Sequence, residues 1–181
     1  MKSVRMYHDP LDPTREVSTR DPWISQGAYG EVVQKMPIPC TDSVFTVQND
    51  NALYLAMRSV YPMKGIWCFG GRISFNDRSL EEAVARCIDL ETGYRIPVER
   101  FEFVVTHYYT WVKTAQGDFG GKNLAVTFNC KVTPSELDLM RSGLVASEYD
   151  RSFGIQRFDR KRLKDENAHP AMLDIFDDLF K

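Results

Sequence analysis

One acidic residue, Glu91, interrupts an otherwise apolar stripe on a predicted helix. At about 100° per residue, Leu80, Val84 and Ile88 fall on one side of that helix. Glu91 lies on the same side, one turn after Cys87. A carboxylate that points at a protein core is costly unless a charged or hydrogen-bonding group meets it. The acid therefore either reaches solvent or an arginine at the helix end, or belongs to a site for a charged ligand.

The residues that precede the helix favour the second interpretation. Gly70 and Gly71 lack side chains, so a ligand can approach their backbone closely. Arg72 follows them directly, and Arg58 ends an earlier predicted strand. Guanidinium groups bind phosphate oxygens, and carboxylates bind hard cations. The combination with Glu91 predicts a site for a divalent cation that holds a diphosphate.

The bounds of the helix follow from its capping residues. Ser79 is the predicted N-cap, with Glu82 three residues later as the partner in a capping box. Gly93 is the predicted C-cap, and Pro97 prevents continuation. The pattern predicts a helix over 80–92, with an i,i+4 ion pair between Glu82 and Arg86 on its solvent side.

Strands and short helices make up the rest of the chain. This mixture predicts an α/β or α+β domain, with a mixed sheet between helices. The glycine-rich segment 113–121 is the predicted mobile connection between two long strands. The predicted strands are 42–47, 52–58, 66–69, 101–109, 123–132 and 153–158, and the other predicted helices are 28–36, 135–141 and 170–180.

The composition and net charge of the chain argue against several classes of function. A chain of 181 residues with 43% hydrophobic residues fits one globular domain, and a net charge of −2 gives no electrostatic case for nucleic acid or an anionic membrane. The sequence has no apolar run of membrane-spanning length, and the start of the chain has no signal-peptide h-region. Four widely spaced cysteines indicate reduced thiols, so we expect a cytoplasmic protein. Residues 1–25 are polar and are expected to form an N-terminal extension.

The stretch around Glu91 resembles the Nudix box. The matching residues are Gly71, Arg86, Ile88, Glu91 and Gly93. Cys87 and Leu90 stand at positions where the box usually has metal-binding glutamates, and Arg78 stands at an earlier glutamate position. The run 86–97, RCIDLETGYRIP, resembles more closely the variant box of GDP-mannose mannosyl hydrolases, which also lack those two glutamates and keep the last one.

The similarity to this family covers about residues 28 to 176. Outside the box it rests on short runs in matching order, each at the place that the family pattern gives it. These runs are Val32-Val33 with Pro37-Ile38, Asp42, Met57-Arg58, Gly65 to Arg72, His107-Tyr108-Tyr109 and Asn167-Ala168-His169.

The resemblance implies an α/β fold of the Nudix type, an α/β/α sandwich with a mixed β-sheet in residues 26–181, usually as a homodimer. It implies hydrolysis of a nucleoside diphosphate sugar of the GDP-mannose kind, dependent on Mg²⁺ or Mn²⁺. By position, Gly70 and Glu91 would be metal ligands. Arg58 and Arg72 would hold the diphosphate and stabilise the leaving charge. Asp42 and His107 would lie beside the sugar or nucleotide.

The family's general base, a histidine in a late loop, is replaced here by Tyr149. Tyrosine is a poor base at neutral pH because its reference pKa is about 10. The neighbouring Glu148 and Asp150 are therefore further candidates for the base. Two other hypotheses stay open: a pyrophosphohydrolase that attacks phosphorus, and a Nudix-fold protein that binds nucleotides with weakened catalysis.

Overall fold

The computed structural model of this protein describes residues 24–181. Most of the expected extension, residues 1–25, lies outside the described residues. The helices are α1 (Gln26–Lys35), α2 (Leu80–Thr92), α3 (Pro134–Gly143), α4 (Arg160–Asp165) and α5 (Pro170–Phe180), with a 3-10 turn at Val98–Arg100. The strands are β1 (Ile38–Val47), β2 (Leu53–Arg58), β3 (Gly65–Trp67), β4 (Phe69–Arg72), β5 (Phe101–Trp111), β6 (Gly121–Val132) and β7 (Ile155–Phe158).

The seven strands form one mixed sheet around β1. Strand β6 runs parallel to β1 along its whole length and antiparallel to β5. The other edge of β1 is shared, since its first half pairs with β4 and its second half with β2, both antiparallel. Strands β3 and β7 both pair with β2. The sequence-based prediction of a mixed sheet is confirmed.

Helices cover both faces of the sheet. Consecutive residues of β1 show this division, because Val44 packs in one hydrophobic cluster and Phe45 in the other. Met172 and Ile175 of α5 belong to the cluster that contains Val44. On the opposite face, α2 and α3 pack in the cluster that contains Phe45, through Val84, Ile88, Leu137 and Met140. The molecule is the α/β/α sandwich that the sequence led us to expect.

Helix α2 has its predicted bounds and cap residues, but the predicted capping box is only half formed, because the Glu82 carboxylate accepts from the Arg78 N–H rather than from that of Ser79. The Ser79 hydroxyl accepts a hydrogen bond from the Glu82 N–H, and Gly93 ends the helix with φ 66°. The predicted ion pair between Glu82 and Arg86 is wrong, because each residue takes a partner from the preceding loop. Glu82 pairs with Arg78 at 3.1 Å, and Arg86 pairs with Asp77 at 2.7 Å.

Helix α3 begins earlier than the sequence indicated. Its N-cap is Thr133 rather than Ser135, and Thr133 forms a reciprocal capping box with Glu136. Helix α4 was not predicted; its N-cap is Asp159, which accepts from the N–H of Arg162. Within residues 24–181, none of the helices has the length and apolar character needed to cross a membrane.

Candidate active site

A cavity of about 510 Å³ opens where β1, β2, β4 and α2 meet. Its wall contains six of the residues that the sequence singled out, contributed by strands, by α2 and by the segment before β7. These residues are Asp42, Arg58, Gly70, Arg72, Glu91 and Glu148. The fold therefore brings the predicted acids, arginines and glycine together around one space.

Gly70 brings β4 against β1 at the cavity wall. It pairs with Asp42 in the β1–β4 ladder and has φ 147°, a conformation that favours glycine. A Cβ at this position would lie 2.1 Å from the carbonyl oxygen of Thr41. A residue other than glycine would push β4 away from β1 and open the floor of the cavity.

Glu91 faces inward, as its place in the apolar stripe predicted, and it is only 7% exposed. Its carboxylate accepts a hydrogen bond from the Gly70 N–H at 2.9 Å. Burial raises the pKa of Glu91 to about 8, and the Glu148 carboxylate adds to the shift. The Arg58 guanidinium, the Gly70 N–H and the Tyr149 hydroxyl act in the opposite direction. A large share of Glu91 is therefore protonated at neutral pH when nothing else binds it.

Arg58 links two further acids of the cavity. It donates a hydrogen bond to Glu148 at 3.1 Å, and it lies close enough to Asp42 to lower the pKa of that carboxyl. Burial is the larger effect on Asp42 and raises its pKa to about 7. The Nε of Arg58 is buried and has no hydrogen-bond partner within the described part of the chain. Arg58 thus keeps a buried donor for a further acceptor.

Arg72 and Arg86 lie at the α2 side of the cavity. The Arg72 side chain is exposed, and its guanidinium lies 4.0 Å from the centroid of the Tyr29 ring. Arg86 donates to the carbonyl oxygen of Arg72 at 2.8 Å and to both carboxylate oxygens of Asp77. These bonds fix the loop between β4 and α2, and with it the backbone that carries Arg72.

Solved structures that are similar to this one include Nudix proteins. The NUDIX domain of Shewanella oneidensis NrtR, complexed with ADP ribose, is 17% identical with a TM-score of 0.56, over 87% of this chain and 100% of that one. The chain has the Nudix fold. A MutT NUDIX hydrolase from Burkholderia pseudomallei is 17% identical with a TM-score of 0.54, over 78% of this chain and 97% of that one. The MutT protein from Methanosarcina mazei Go1 is 19% identical with a TM-score of 0.51, over 79% and 93%.

No protein-family model matches the sequence. The similarity to solved structures therefore establishes the Nudix fold, and the chemistry depends on the residues of this chain. In α2 the outward position Leu90 is 63% exposed, and Cys87 is buried at 5% exposure. Both line the cavity beside Glu91. Glu91 is therefore the acid that α2 places in the wall.

Three of the predicted site residues of this Nudix fold lie outside the lining of the cavity. Tyr149 is 2% exposed and packs its ring 5.4 Å from that of Phe69, and its hydroxyl lowers the pKa of Glu91. Asp150 is exposed, and its carboxylate accepts from the N–H groups of Ser152 and Phe153 in the following turn. His107 is half-buried and stacks on Tyr109 at 5.5 Å. Of the late-loop candidates, only Glu148 reaches the cavity.

An aromatic wall, formed by Trp67, Tyr109 and Trp111, lines the other side of the cavity. The Tyr109 and Trp111 rings stack at 5.1 Å, and Trp67 meets Tyr109 edge-on at 5.5 Å. The Trp111 indole N–H donates to Asn123 at 2.7 Å. Sequence reasoning missed this wall, although the aromatic residues at alternate positions of β5 were the available signal.

The residues around the cavity suit a cation only when a bound ligand supplies some of the oxygen atoms that coordinate it. Within residues 24–181, no three acidic, histidine or cysteine side chains are grouped so that they could hold a metal ion. Glu91 supplies carboxylate oxygens beside the backbone of Gly70, and Mg²⁺ prefers oxygen ligands. Mg²⁺ is commonly held by one or two carboxylates, with waters and substrate phosphates as its other ligands. The residues present fit a cation that is shared with a phosphate-bearing ligand.

Proposed function

We propose that this protein is a divalent-cation-dependent hydrolase of nucleoside diphosphate sugars, GDP-mannose-like in substrate class, that releases the sugar and a nucleoside diphosphate. The observation that carries the proposal is the buried Glu91 carboxylate, bonded to Gly70 at 2.9 Å in the wall of a cavity that also contains Arg58 and Arg72. A buried acid is costly for folding alone, and in a cavity that two arginines also line it suits a ligand that brings a cation and a diphosphate.

The size and lining of the cavity support this ligand class. A volume of about 510 Å³ lies within the range of small-molecule sites. The arginine side offers cations for phosphate oxygens, and the aromatic wall offers flat apolar surfaces for a base or a sugar ring. The NrtR domain with the same fold binds ADP ribose, which is also a diphosphate joined to a sugar.

In this proposal Glu91 and Gly70 would hold Mg²⁺ or Mn²⁺, which would supply positive charge to the diphosphate. Since burial raises the pKa of Glu91 to about 8, cation binding near neutral pH is coupled to release of a proton from this carboxyl. Arg58 and Arg72 bind the phosphate oxygens. Asp42, whose carboxyl lies near Arg58, faces the sugar.

Glu148 is the proposed general base because it is the late-loop acid that lines the cavity. It takes a proton from a water molecule, and the water oxygen forms a bond to the anomeric carbon of the sugar. The bond from that carbon to the diphosphate oxygen breaks, and its electron pair stays on the diphosphate. Arg58 and Arg72 stabilise this leaving charge. Arg58 also orients the base, since it is bonded to Glu148 at 3.1 Å.

A second candidate function is binding of a nucleotide without efficient turnover. It is favoured by the chemistry of α2, where Cys87 and Leu90 leave Glu91 as the acid in the cavity wall. It is also favoured by Tyr149, which occupies the position of the family's histidine base and packs in the core. Under this hypothesis the cavity keeps its phosphate-binding arginines and its aromatic wall, while the hydrolytic step is slow.

A screen of nucleoside diphosphate sugars with Mg²⁺ or Mn²⁺ tests both candidates, with turnover and thermal stabilisation measured on the same samples. Turnover that is abolished by EDTA and by Glu91→Gln supports the hydrolase. Stabilisation without product over long incubation supports the binding protein. Neither turnover nor stabilisation with any member of the panel contradicts both.

Hydrolysis in ¹⁸O-labelled water locates the bond that is cleaved. Label in the released sugar supports attack at carbon, as proposed. Label in the phosphate product shows attack at phosphorus, so the protein would be a pyrophosphohydrolase instead. We also propose that residues 26–181 form one catalytic domain and that the protein is a homodimer. Light scattering on the purified protein measures its oligomeric state.

A further inference from the structure

Tyr109 has a buried hydroxyl group without a partner. The residue is 7% exposed, and its hydroxyl oxygen accepts or donates no hydrogen bond within residues 24–181. The ring is well packed, because it stacks on Trp111 at 5.1 Å and meets Trp67 at 5.5 Å. Phenylalanine would give the same ring contacts without the cost of an unpaired buried hydroxyl. Phenylalanine at this position would therefore lose no hydrogen bond that Tyr109 makes within residues 24–181.

Tyr109 shares the wall of the cavity with residues of β1, although a whole strand separates them. Strand β6 lies between β5 and β1, and its Asn123 is in register with Tyr109 on one side and with Ile38 on the other. Tyr109, Ala125, Cys40 and Asp42 all line the cavity. The cavity therefore lies next to both Tyr109 on β5 and Asp42 on β1.

The pKa of Tyr109 also relates this residue to Asp42. Burial is the largest cause that raises the pKa of Tyr109, and the next is the nearby Asp42 carboxyl, followed by Cys68, Asp174 and Cys40. The hydroxyl is thus within reach of the charge on Asp42, and it remains protonated across the physiological range. Asp42 in turn interacts with Arg58, at the phosphate-binding side of the cavity. A hydroxyl donor and a carboxyl acceptor therefore line the same cavity as Arg58.

We propose that Tyr109 and Asp42 form a hydrogen-bonding subsite for the hydroxyl groups of the sugar attached to the diphosphate, with Tyr109 as a specificity residue. This inference rests on the proposed function. A tyrosine hydroxyl both donates and accepts, and a carboxylate accepts, so the pair matches neighbouring hydroxyls of a sugar ring. A ligand that lacks them leaves buried polar groups unpaired, and such sites discriminate strongly against it.

The test compares Tyr109→Phe with the unaltered protein in binding, without any need for turnover. Affinities for a nucleoside diphosphate hexose and for the matching nucleoside diphosphate are measured by calorimetry, in EDTA and again with Ca²⁺. We expect Tyr109→Phe to weaken binding of the hexose conjugate about tenfold, the size of one neutral hydrogen bond, and to change binding of the diphosphate less than about twofold. Thermal stability of the free variant should be equal or higher, since an unpaired hydroxyl is removed.

Tyr108→Phe is the matched control. Tyr108 is the neighbouring residue on β5, is 56% exposed and does not line the cavity, so its substitution should change neither affinity. Unchanged hexose binding in Tyr109→Phe overturns the subsite while leaving the proposed function intact. If the affinities for both ligands fall equally, the assignment to the attached sugar is overturned, because the hydroxyl then contacts the ribose of the nucleoside. Failure of the unaltered protein to bind either ligand overturns the proposed function together with the subsite.

Discussion

The Glu91 carboxylate accepts a hydrogen bond from the backbone N–H of Gly70 at 2.9 Å, and this bond ties α2 to β4 at the cavity wall. Each of the two residues has an environment or a backbone conformation that is unfavourable in itself. Glu91 is an acid on the buried side of a helix, and Gly70 has φ 147° in a strand. Together they hold a carboxylate beside open backbone, at a cost in stability that is characteristic of functional sites.

Glu91→Gln should stabilise the free protein at high pH. Burial raises the pKa of Glu91 from 4.5 to about 8, so the folded state binds its proton more tightly than the unfolded state. Stability from this group is fully present below about pH 4.5 and is lost as pH rises through about 8. Glutamine keeps the shape without the charge. We expect the variant to gain about 2–4 kcal/mol at pH 9 and nothing at pH 4.5, measured by urea unfolding in EDTA.

The same variant should lose its cation-dependent turnover by about 100-fold or more, because the proposed cation ligand is removed. Opposite changes in stability and activity distinguish a functional acid from a structural one. If the stability difference between the two proteins were the same at every pH, Glu91 would not titrate in the range that its burial implies.

Gly70→Ala should be far more damaging than Gly71→Ala, although the two residues are adjacent. A Cβ at Gly70 would lie 2.1 Å from the Thr41 carbonyl oxygen and would force an alanine into positive φ. At Gly71 the nearest atom is the Cys87 sulfur, at 3.2 Å. We expect a loss of more than about 3 kcal/mol for Gly70→Ala and less than about 1 kcal/mol for Gly71→Ala. Chemical unfolding measures both; similar losses would show that the β1–β4 ladder can separate.

The elements that local sequence defines were predicted well. Helix α2 follows from the Ser79 cap, the left-handed Gly93 and the apolar stripe, all of which act within a few residues. The inward direction of Glu91 follows from the same periodicity, and the burial of that residue confirms it. The grouping of Arg58, Gly70 and Glu91 around one cavity was predicted from the chemistry of these residues, and the family resemblance supported it, although they lie on three separate elements.

Features that depend on loops and on pairing across the sheet were not predicted. Arg86 binds Asp77 rather than Glu82, because the loop before α2 folds back against the helix. Tyr149 is buried because the segment before β7 forms a β-bridge with Arg58 at the end of β2. The aromatic wall joins residues of β3 and β5. The sequence of β5 shows aromatic residues at alternate positions, but it does not show that Trp67 of β3 lies beside them.

Glu136→Gln should destabilise the protein at neutral pH but not in acid. Two bonds from Arg100, together with bonds from the Tyr94 hydroxyl and the Thr133 N–H, lower the pKa of Glu136 from 4.5 to about 2. A lowered pKa contributes stability above about pH 4.5, and that stability is lost as pH falls toward 2. We expect a loss of about 1 kcal/mol at pH 7 that disappears near pH 2, since solvent screens this partly exposed pair.

Glu102→Gln is the control for that measurement. Glu102 also pairs with a cation, Lys131, but at 3.6 Å and with both side chains more than half exposed. Its substitution should change the unfolding midpoint very little at any pH. A pH-independent loss in Glu136→Gln would show that the capping bond at Thr133, rather than the charge, provides the stability.

Glu148→Ala should lower turnover by about 100-fold to 10,000-fold, whereas Asp150→Ala should leave turnover unchanged. Glu148 lines the cavity, and the Asp150 carboxylate is engaged outside it by Ser152 and Phe153. Loss of Glu148 also removes the partner of Arg58, so a rate loss alone does not identify a base. Glu148→Gln separates the two causes, because the amide oxygen of glutamine can still accept from Arg58 but cannot take a proton from water. A loss in Glu148→Gln as large as that in Glu148→Ala identifies the base; activity that is retained in Glu148→Gln assigns Glu148 to positioning Arg58.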